Sequence, residues 1–456
     1  MSLWHSLVKL FTISPESAPV LDKPETTRLT QAVADSTPAR KSEAAPAIAA
    51  LPFGASVTQR ALVDTQLQVA GFEFRLNEKI VARLHDTRNN PARISYYSAL
   101  LTAARLNAQQ GRISLVGLPA DLLEREFITD RIDPGLWLII YSSHEPSELA
   151  CTALHRLREH RVLVGWQADC LEQFMNPHLP MDFVAFKHEK GNLPDLINCR
   201  QLWHKRYPKL IGIATDLSNI EQIETAVQGV FELATGAFVA APCNQDFIRP
   251  LTPAAGRLCQ ILNAIMNGAA HAEIVEQLKL DLKISYQLLC HINSASVGLK
   301  YPVDSLNDAL YLLGRNQFYQ WLSMMLARSA TARPASRALQ EISLGRARFL
   351  EGLAQATGAA SPELLFSLGI FSLLHLLLNT SVDQALQPLR LSPNLSAALY
   401  GIGPWAIYLQ LVIAWEHNDG ELVAKLTEQV GLTPEKVADL AAMSIIWARQ
   451  AMDSAK

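Results

Sequence analysis

Two patterns of hydrophobic and polar positions divide the chain. Between residues 61 and 242, short apolar runs alternate with segments of helical periodicity. The runs predict strands at 67–76, 112–117, 136–141, 161–166, 183–187, 210–215 and 236–240, with helices at 94–107, 146–160, 193–204 and 220–233. Apolar strands separated by helices favour a parallel sheet covered on both faces or closed into a barrel. Seven strands, with one less obvious, fit a barrel better than an open sheet, although the pattern is compatible with both.

The second half is predicted to be entirely helical. Ile284, Leu288 and Ile292 keep the three-and-four spacing that lays one face of a helix on a core. Ser305, just after Pro302, is a candidate N-cap for the next helix. The fold class is therefore an α/β unit followed by an all-α unit.

Composition and charge narrow the range of functions. The 456 residues are 49% hydrophobic and 18% charged, which is enough for two domains with separate cores. The net charge of -3 gives no electrostatic footprint for a nucleic-acid partner. No apolar run is long enough to be a transmembrane segment. The six cysteines show no C-x-x-C pairs, a pattern typical of free thiols in a reducing compartment. We expect a cytoplasmic protein.

The first 60 residues are predicted to be a flexible segment. Residues 12–50 are rich in Ala, Pro, Ser and Thr and bury too little apolar area to offset the entropy lost on ordering. Residues 3–11 have the spacing of a short apolar helix, which needs a partner. One interpretation is a docking or membrane-surface motif. The other, which we favour because only His5 and Lys9 are basic, is a segment that folds back on its own chain or frays.

A longer motif starts at residue 281. The pattern D-x-x-[IL]-S-x-x-L-L-x-x-I-N-S-A is followed by S-[IL]-x-x-A-L-x-x-L-G and then by a helix with a Trp-Leu pair. Its main positions are Asp281, Ser285, Leu289, Asn293, Ser294, Ala295, Ser305, Leu313, Gly314 and Trp321. This arrangement resembles the HDOD domain of bacterial signalling proteins, and we assign residues 245–456 to such an all-helical bundle.

The two ends of the alternating region carry a second resemblance. VAGFEFRLN at 69–77 looks like G-[YF]-E-x-L-x-R, and TGAFVAAP at 235–242 is similar to Q-G-Y-x-F-x-x-P. Both are patterns of the EAL domain, the cyclic di-GMP phosphodiesterase fold. The resemblance implies an EAL-like modified (β/α)8 barrel over residues 61–244. The order EAL then HDOD resembles a known bacterial arrangement.

The resemblance also implies which residues catalysis would need. Hydrolysis in this fold uses two divalent cations held by carboxylates and an amide at strand ends. The corresponding, vestigial positions here are Glu73, Asn77, Ile139, Ser142, Ala185 and Lys187. Only Glu73 is retained: Asn77 replaces an Arg that contacts phosphate, Ile139 and Ser142 replace carboxylates, and Ala185 to Lys187 replace a K-[IL]-D strand. Asp169 is the one possible substitute acid. The substitutions predict a barrel with no catalytic residue and no metal site.

The histidines of the helical half do not predict a metal site either. They are His271, His291, His375 and His417, and none is followed by Asp or paired with another at four residues' distance. Packing in or beside the core is the simpler interpretation for His291 and His375.

We therefore predict that the chain is not an enzyme, needs no cofactor, and acts through contact with other signalling proteins. The resemblance implies cyclic di-GMP-dependent control of motility, biofilm or virulence. Trp321 and Trp415 are candidate contact residues, and packing in the bundle core is an equally good interpretation of both. The alternatives are a cyclic di-GMP-binding sensor and a residual EAL-type phosphodiesterase.

Overall fold

The computed structural model describes most of the chain beyond residue 56. The described residues are 57–76, 81, 91–109, 111–125, 132–133, 135–169, 179–188, 193–239, 251–293, 303–330, 333–358, 360–417 and 419–453. The predictions for the N-terminal segment, for Asn77, for Ser294 and Ala295, and for the boundary at 244 lie outside these residues.

Eight strands form a closed barrel in the order of the sequence. They are β1 (Val57–Asp64), β2 (Val69–Leu76), β3 (Ile113–Pro119), β4 (Leu136–Tyr141), β5 (Leu163–Gln167), β6 (Phe183–Lys187), β7 (Ile211–Leu217) and β8 (Leu233–Gly236). All neighbouring strands are parallel except that β1 runs antiparallel to both β2 and β8. The predicted barrel is confirmed, and its eighth strand is β1.

The barrel interior is filled by large side chains. The rings of Trp137 and Phe183 lie 5.5 Å apart inside it. Gly165 makes room for Phe183, because a Cβ at this glycine would lie 2.2 Å from the Phe183 ring. A filled interior is what an eight-stranded barrel requires, since its inward side chains form a packed core.

Helices cover the outside of the barrel. They are α1 (Pro91–Ala108), α2 (Glu148–Glu159), α3 (Leu193–Arg206) and α4 (Ile220–Gly229). Ser147 and Asn219 begin α2 and α4 as N-caps, each accepting a backbone N–H in the first turn.

The remaining described chain is helical, as predicted. Its helices are α5 (Pro253–Met266), α6 (His271–Lys279), α7 (Leu282–Ile292), α8 (Leu306–Ser329), α9 (Ser336–Thr357), α10 (Pro362–Ser372), α11 (Leu374–Leu378), α12 (Val382–Leu386), α13 (Pro393–Leu399), α14 (Ala406–His417), α15 (Gly420–Gln429) and α16 (Pro434–Asp453). Gly369 lets α10 approach α9 closely, because a Cβ there would lie 2.4 Å from the Ala347 Cα. In the described chain, no helix combines the length and apolarity needed to cross a membrane.

Three differences from the sequence prediction have local causes. β1 was not predicted, because Gln59, Arg60 and Asp64 interrupt its apolar pattern. The last strand is Leu233–Gly236 rather than 236–240, since the chain already turns after Gly236. The two helices predicted on either side of Gly314 form α8, and Gly314 marks a kink in it with a φ of 71°.

The barrel and the helical half are joined by buried ion pairs. The Arg333 side chain is 2% exposed and bonds Glu221 at 2.5 Å and Glu224 at 3.2 Å, both in the first turns of α4. The Glu224 carboxylate also accepts the backbone N–H of Ala335 at 2.8 Å. A second pair links Arg112 at the start of β3 to Glu341 on α9. Buried pairs of this kind tolerate few alternative arrangements, because separating them leaves an uncompensated charge.

Replacing Arg333 with Ala is expected to destabilise the protein by about 1 to 3 kcal/mol, because the mostly buried Glu224 carboxylate loses its partner. Glu221 is 41% exposed, so its lost pair adds little. Lys279→Ala is the control: it removes the exposed 2.7 Å pair with Glu276 and should change stability by less than about 1 kcal/mol. Chemical unfolding of the full chain measures both. Equal effects of the two substitutions would contradict the structural role given to Arg333.

Candidate functional site

Charged side chains gather at one mouth of the barrel, where the parallel strands end. Glu73 lies near the end of β2, Lys187 ends β6, and Asp216 is the penultimate residue of β7. Arg60 on β1 and Arg75 on β2 reach the same place. The carboxyl ends of the strands are the face at which barrels of this type bind ligands.

Asp216 is the centre of this group. Its Oδ1 accepts a hydrogen bond from the Arg60 Nη1 at 2.8 Å and a shorter one from the Arg75 Nη1. The Arg75 Nε lies 3.8 Å from the Glu73 Oε1, and the Thr235 hydroxyl donates to Glu73 at 3.3 Å. One ionic network therefore joins strands β1, β2, β7 and β8.

The two carboxyl groups have opposite pKa shifts. Burial raises the pKa of Glu73, which Arg75 partly offsets and the charge of Asp216 reinforces. Burial also acts to raise the pKa of Asp216, but Arg75 and Arg60 outweigh it and the pKa is lowered overall. Their environments therefore separate the pKa values of two neighbouring carboxyl groups.

The backbone at Asp216 has an uncommon conformation. Its φ is 61°, in the left-handed region that few residues other than glycine adopt and that Asp and Asn tolerate best. This backbone conformation directs the Asp216 carboxylate to Arg60 and Arg75. The surrounding network holds this conformation in place, as is typical of residues at functional sites.

The predicted vestigial positions are spread over the barrel. Ile139 and Ala185 lie in its apolar interior, 5% and 1% exposed. Ser142 lies beyond β4, where its hydroxyl bonds the carbonyl of His144. Asp169 is exposed after β5, and Lys187 is exposed at the end of β6. Of these residues, only Glu73 and Lys187 contribute to the charged mouth.

The surroundings of Glu73 and Asp216 are positively charged. Both carboxylates lie beside arginines, whose charge opposes a metal, and the residues described contain no group of three or more His, Cys, Asp or Glu that could hold an ion. The segments 77–80, 170–178 and 189–192, which follow strands β2, β5 and β6, are outside the described residues.

A second, polar cleft lies beside the mouth, outside β3 and β4. Its volume is about 480 Å³. Arg93 holds Asp121 with two hydrogen bonds of 2.5 and 2.9 Å, and the hydroxyls of Tyr97 and Tyr141 lie 2.5 Å apart. Burial raises the pKa of both tyrosines, so they stay protonated. Sequence reasoning missed this cleft because its members come from three separate segments.

The HDOD-type positions have structural contacts. Asp281 caps α7 by accepting the N–H groups of Lys283 and Ile284, and it pairs with Arg257 at 2.5 Å. The Ser285 hydroxyl donates to the carbonyl of Leu278. Asn293 ties α7 to the segment before α8 through two hydrogen bonds with the backbone of Val303. These residues fix the corners between short helices.

The other motif positions pack or cap. Ser305 caps α8, and Leu289 and Leu313 pack against the core. Trp321 is 4% exposed and stacks on Phe318 and His291, so its ring is not available to a partner, contrary to one of our two interpretations. Trp415 is half-buried and packs edge-on against Phe349.

Two histidines of the helical half have lowered pKa values. Burial lowers the pKa of His291. Burial and the nearby charge of Arg346 lower the pKa of His375 to about 4.

Comparison with known proteins identifies one domain family. Residues 251–389 match the HDOD domain. The protein YuxH of Bacillus subtilis is 26% identical over 296 residues, which are 63% of this chain and 69% of YuxH. CdgJ of Vibrio cholerae, named a cyclic di-GMP phosphodiesterase, is 31% identical over 159 residues, 34% of this chain and 37% of CdgJ.

Solved structures similar to this chain include EAL domains. One is an EAL domain protein from Listeria monocytogenes, 14% identical, with a TM-score of 0.32 over 44% of this chain and 94% of that one. Another is the PaMucR phosphodiesterase in complex with cyclic di-GMP, 14% identical, with a TM-score of 0.33 over 41% and 96% of the two chains.

The similarity to CdgJ overturns one prediction. From the missing carboxylates we predicted that the chain is not an enzyme, whereas this relative carries the name of a phosphodiesterase. The prediction is therefore wrong. It rested on a strand-by-strand match of motifs, and that match included Asn77, outside the described residues.

Glu73→Gln and Asp216→Asn are expected to shift stability in opposite directions at pH 8. Glu73, with its raised pKa, destabilises the folded state once it is ionised, so Gln should raise the melting temperature at pH 8 and have no effect below the ordinary pKa of 4.5. Asp216, with its lowered pKa, stabilises above 3.8, so Asn should lower the melting temperature at pH 8, by less as the pH falls below 3.8.

Thermal unfolding between pH 3 and pH 8 measures both shifts. Asn tolerates the left-handed backbone as Asp does, so the Asp216 variant tests the charge rather than the turn. Shifts of the same sign at pH 8 would contradict the assignment of the two carboxyls.

Proposed function

We propose that this chain, in which an eight-stranded barrel precedes residues that match the HDOD domain, works in cyclic di-GMP signalling. In this proposal the barrel mouth binds the dinucleotide, and the helical domain passes the bound state on through contact with other signalling proteins.

The charge balance at the mouth carries the first half of the proposal. Arg60, Arg75 and Lys187 provide three positive charges against the two carboxylates Glu73 and Asp216. The raised pKa of Glu73 increases this excess when the group is protonated. Guanidinium groups recognise phosphate through paired hydrogen bonds. The excess of positive charge at the mouth therefore favours an anionic ligand, and a phosphodiester that exchanges with Asp216 for these guanidinium groups is the one we propose.

Hydrolysis of the same dinucleotide is the second candidate, supported by the name of CdgJ. It uses the same mouth and therefore the same binding groups. The two candidates differ in one observable, the appearance of a linear dinucleotide product.

Lys187→Ala is expected to weaken cyclic di-GMP binding about tenfold, because it removes one exposed positive charge from the mouth, near Asp216. Isothermal titration of the full-length protein measures the affinity, with Mg²⁺ or with a chelator. Chromatography of the same samples reports hydrolysis.

Arg105→Ala is the matched control, since it removes a half-exposed arginine on α1 that pairs with Asp133 away from the mouth. Its affinity should equal that of the unchanged protein. Absence of saturable binding in the unchanged protein, or equal losses in both variants, would contradict a binding role for the mouth. Product formation that Glu73→Gln lowers would establish the phosphodiesterase.

An exposed apolar surface supports the second half of the proposal. Leu280, Leu282 and Tyr286, which we call the α7 patch, are 83%, 84% and 70% exposed beside the HDOD signature residue Asp281. Leu282 and Tyr286 are four residues apart and so share one face of α7. Apolar side chains grouped in this way are typical of protein-binding surfaces.

Leu282→Asp is expected to abolish the capture of a partner by the full-length protein, because the charge would be desolvated in the contact. Leu149→Asp, at a 70% exposed leucine on α2 of the barrel, is the control and should leave capture unchanged. Affinity purification from cells that express each variant, with quantitative mass spectrometry, measures the loss. A partner retained equally by both variants would place the contact elsewhere.

A further inference from the structure

A cavity lies between the barrel and the helical half. Its volume is about 120 Å³. One wall is the outer face of the β1–β2 hairpin with the turn after β8, and the opposite wall is formed by α9, α14 and α16. The apolar lining includes Ala61, Val69, Phe72, Phe349, Val412 and Trp415. Neither half alone encloses this space.

The lining belongs to the hydrophobic core rather than to the surface. Phe72, Phe349 and Val412 are 9%, 3% and 1% exposed. The edge-on contact of Phe349 and Trp415 places two aromatic rings on one wall. Cavities with apolar walls at a domain interface are preferred sites for small ligands.

The charged side chains that line the cavity are already paired. Arg346, 4% exposed on its side chain, bonds both oxygens of Glu416 at 3.0 and 2.5 Å and also the hydroxyl of Ser372. Glu341 is paired with Arg112 across the interface. A charged ligand would have to break one of these pairs, so the cavity favours a neutral molecule.

We propose that this cavity binds one compact, neutral, aromatic or branched aliphatic molecule. Apolar cavities of about 150 Å³ hold a single benzene ring, and this one is of comparable size. A ring in this cavity contacts the aromatic wall formed by Phe349 and Trp415.

The position of the cavity gives its occupant a role in coupling. The occupant touches both halves, so it binds only while they are docked. β1 carries Ala61 on the cavity wall, and the preceding residue, Arg60, holds Asp216 at the barrel mouth. Successive side chains of a strand point to opposite faces. Binding at the cavity is thereby linked to the mouth through one strand.

The test uses indole as the probe and the full-length protein. Gly345 lines the cavity, and a Cβ built on it lies 3.8 Å from the Ala448 Cβ, an ordinary contact. Gly345→Ala therefore narrows the cavity without a clash and should weaken indole binding about fourfold, the equivalent of one displaced methylene contact. Ala448→Leu adds more volume and should weaken it at least about tenfold.

Gly256→Ala is the matched control. Gly256 lies within α5, and nothing is found within 4 Å of its added Cβ. It brings the same gain in helix propensity as Gly345→Ala but should leave indole affinity within about twofold, well below the tenfold that 1.4 kcal/mol represents.

Isothermal titration and thermal unfolding with increasing indole report binding. The expected result is saturable heat and a melting temperature that rises with indole, both reduced in the order Gly345→Ala, then Ala448→Leu. Glycerol, a smaller and polar molecule, should give neither signal at the same millimolar concentrations. Absence of saturable binding, or equal affinity in the unchanged protein and all three variants, would overturn the proposal.

Discussion

The β1–β2 hairpin is the constraint on which this architecture depends. The two strands follow each other through a four-residue turn at 65–68, so no helix intervenes to cover them. Their outward side chains, Phe72 and Phe74 among them, are nevertheless 9% and 0% exposed. The helical half provides part of that cover, and its core is continuous with the outer layer of the barrel. Apolar burial of this extent is the main favourable term in docking the two halves.

Charge gives the docking its specificity. Apolar contact alone permits sliding, since it is non-directional. Arg333 with Glu221 and Glu224 at one point, and Arg112 with Glu341 at another, define a single relative position. The same strand, β1, then carries Arg60 to the barrel mouth. The surface that joins the halves and the charged barrel mouth are thus parts of one scaffold.

Much of the fold could be predicted from the sequence, because it rests on local patterns. The strands at 136–141 and 183–187 were predicted at their observed limits, since they are continuous apolar runs bounded by polar residues. β1 was missed, because a strand that faces a charged mouth on one side and a second domain on the other does not keep a simple alternation.

The site was less predictable than the fold. Glu73 was identified from a motif, but Asp216 was not, since nothing beside it in the sequence marks it. Its partners Arg60 and Arg75 lie 156 and 141 residues away along the chain. Trp321 and Trp415 look alike in the sequence, yet one lies in the core and the other lines the space between the halves.

The plugged interior has a further consequence. Trp137 and Phe183 pack inside the barrel. The mouth therefore does not continue as a channel through the barrel. Under the proposed function, a bound dinucleotide would leave by the opening through which it entered. Any group that covered this opening would therefore slow both association and dissociation of the ligand, without contacting the residues that bind it.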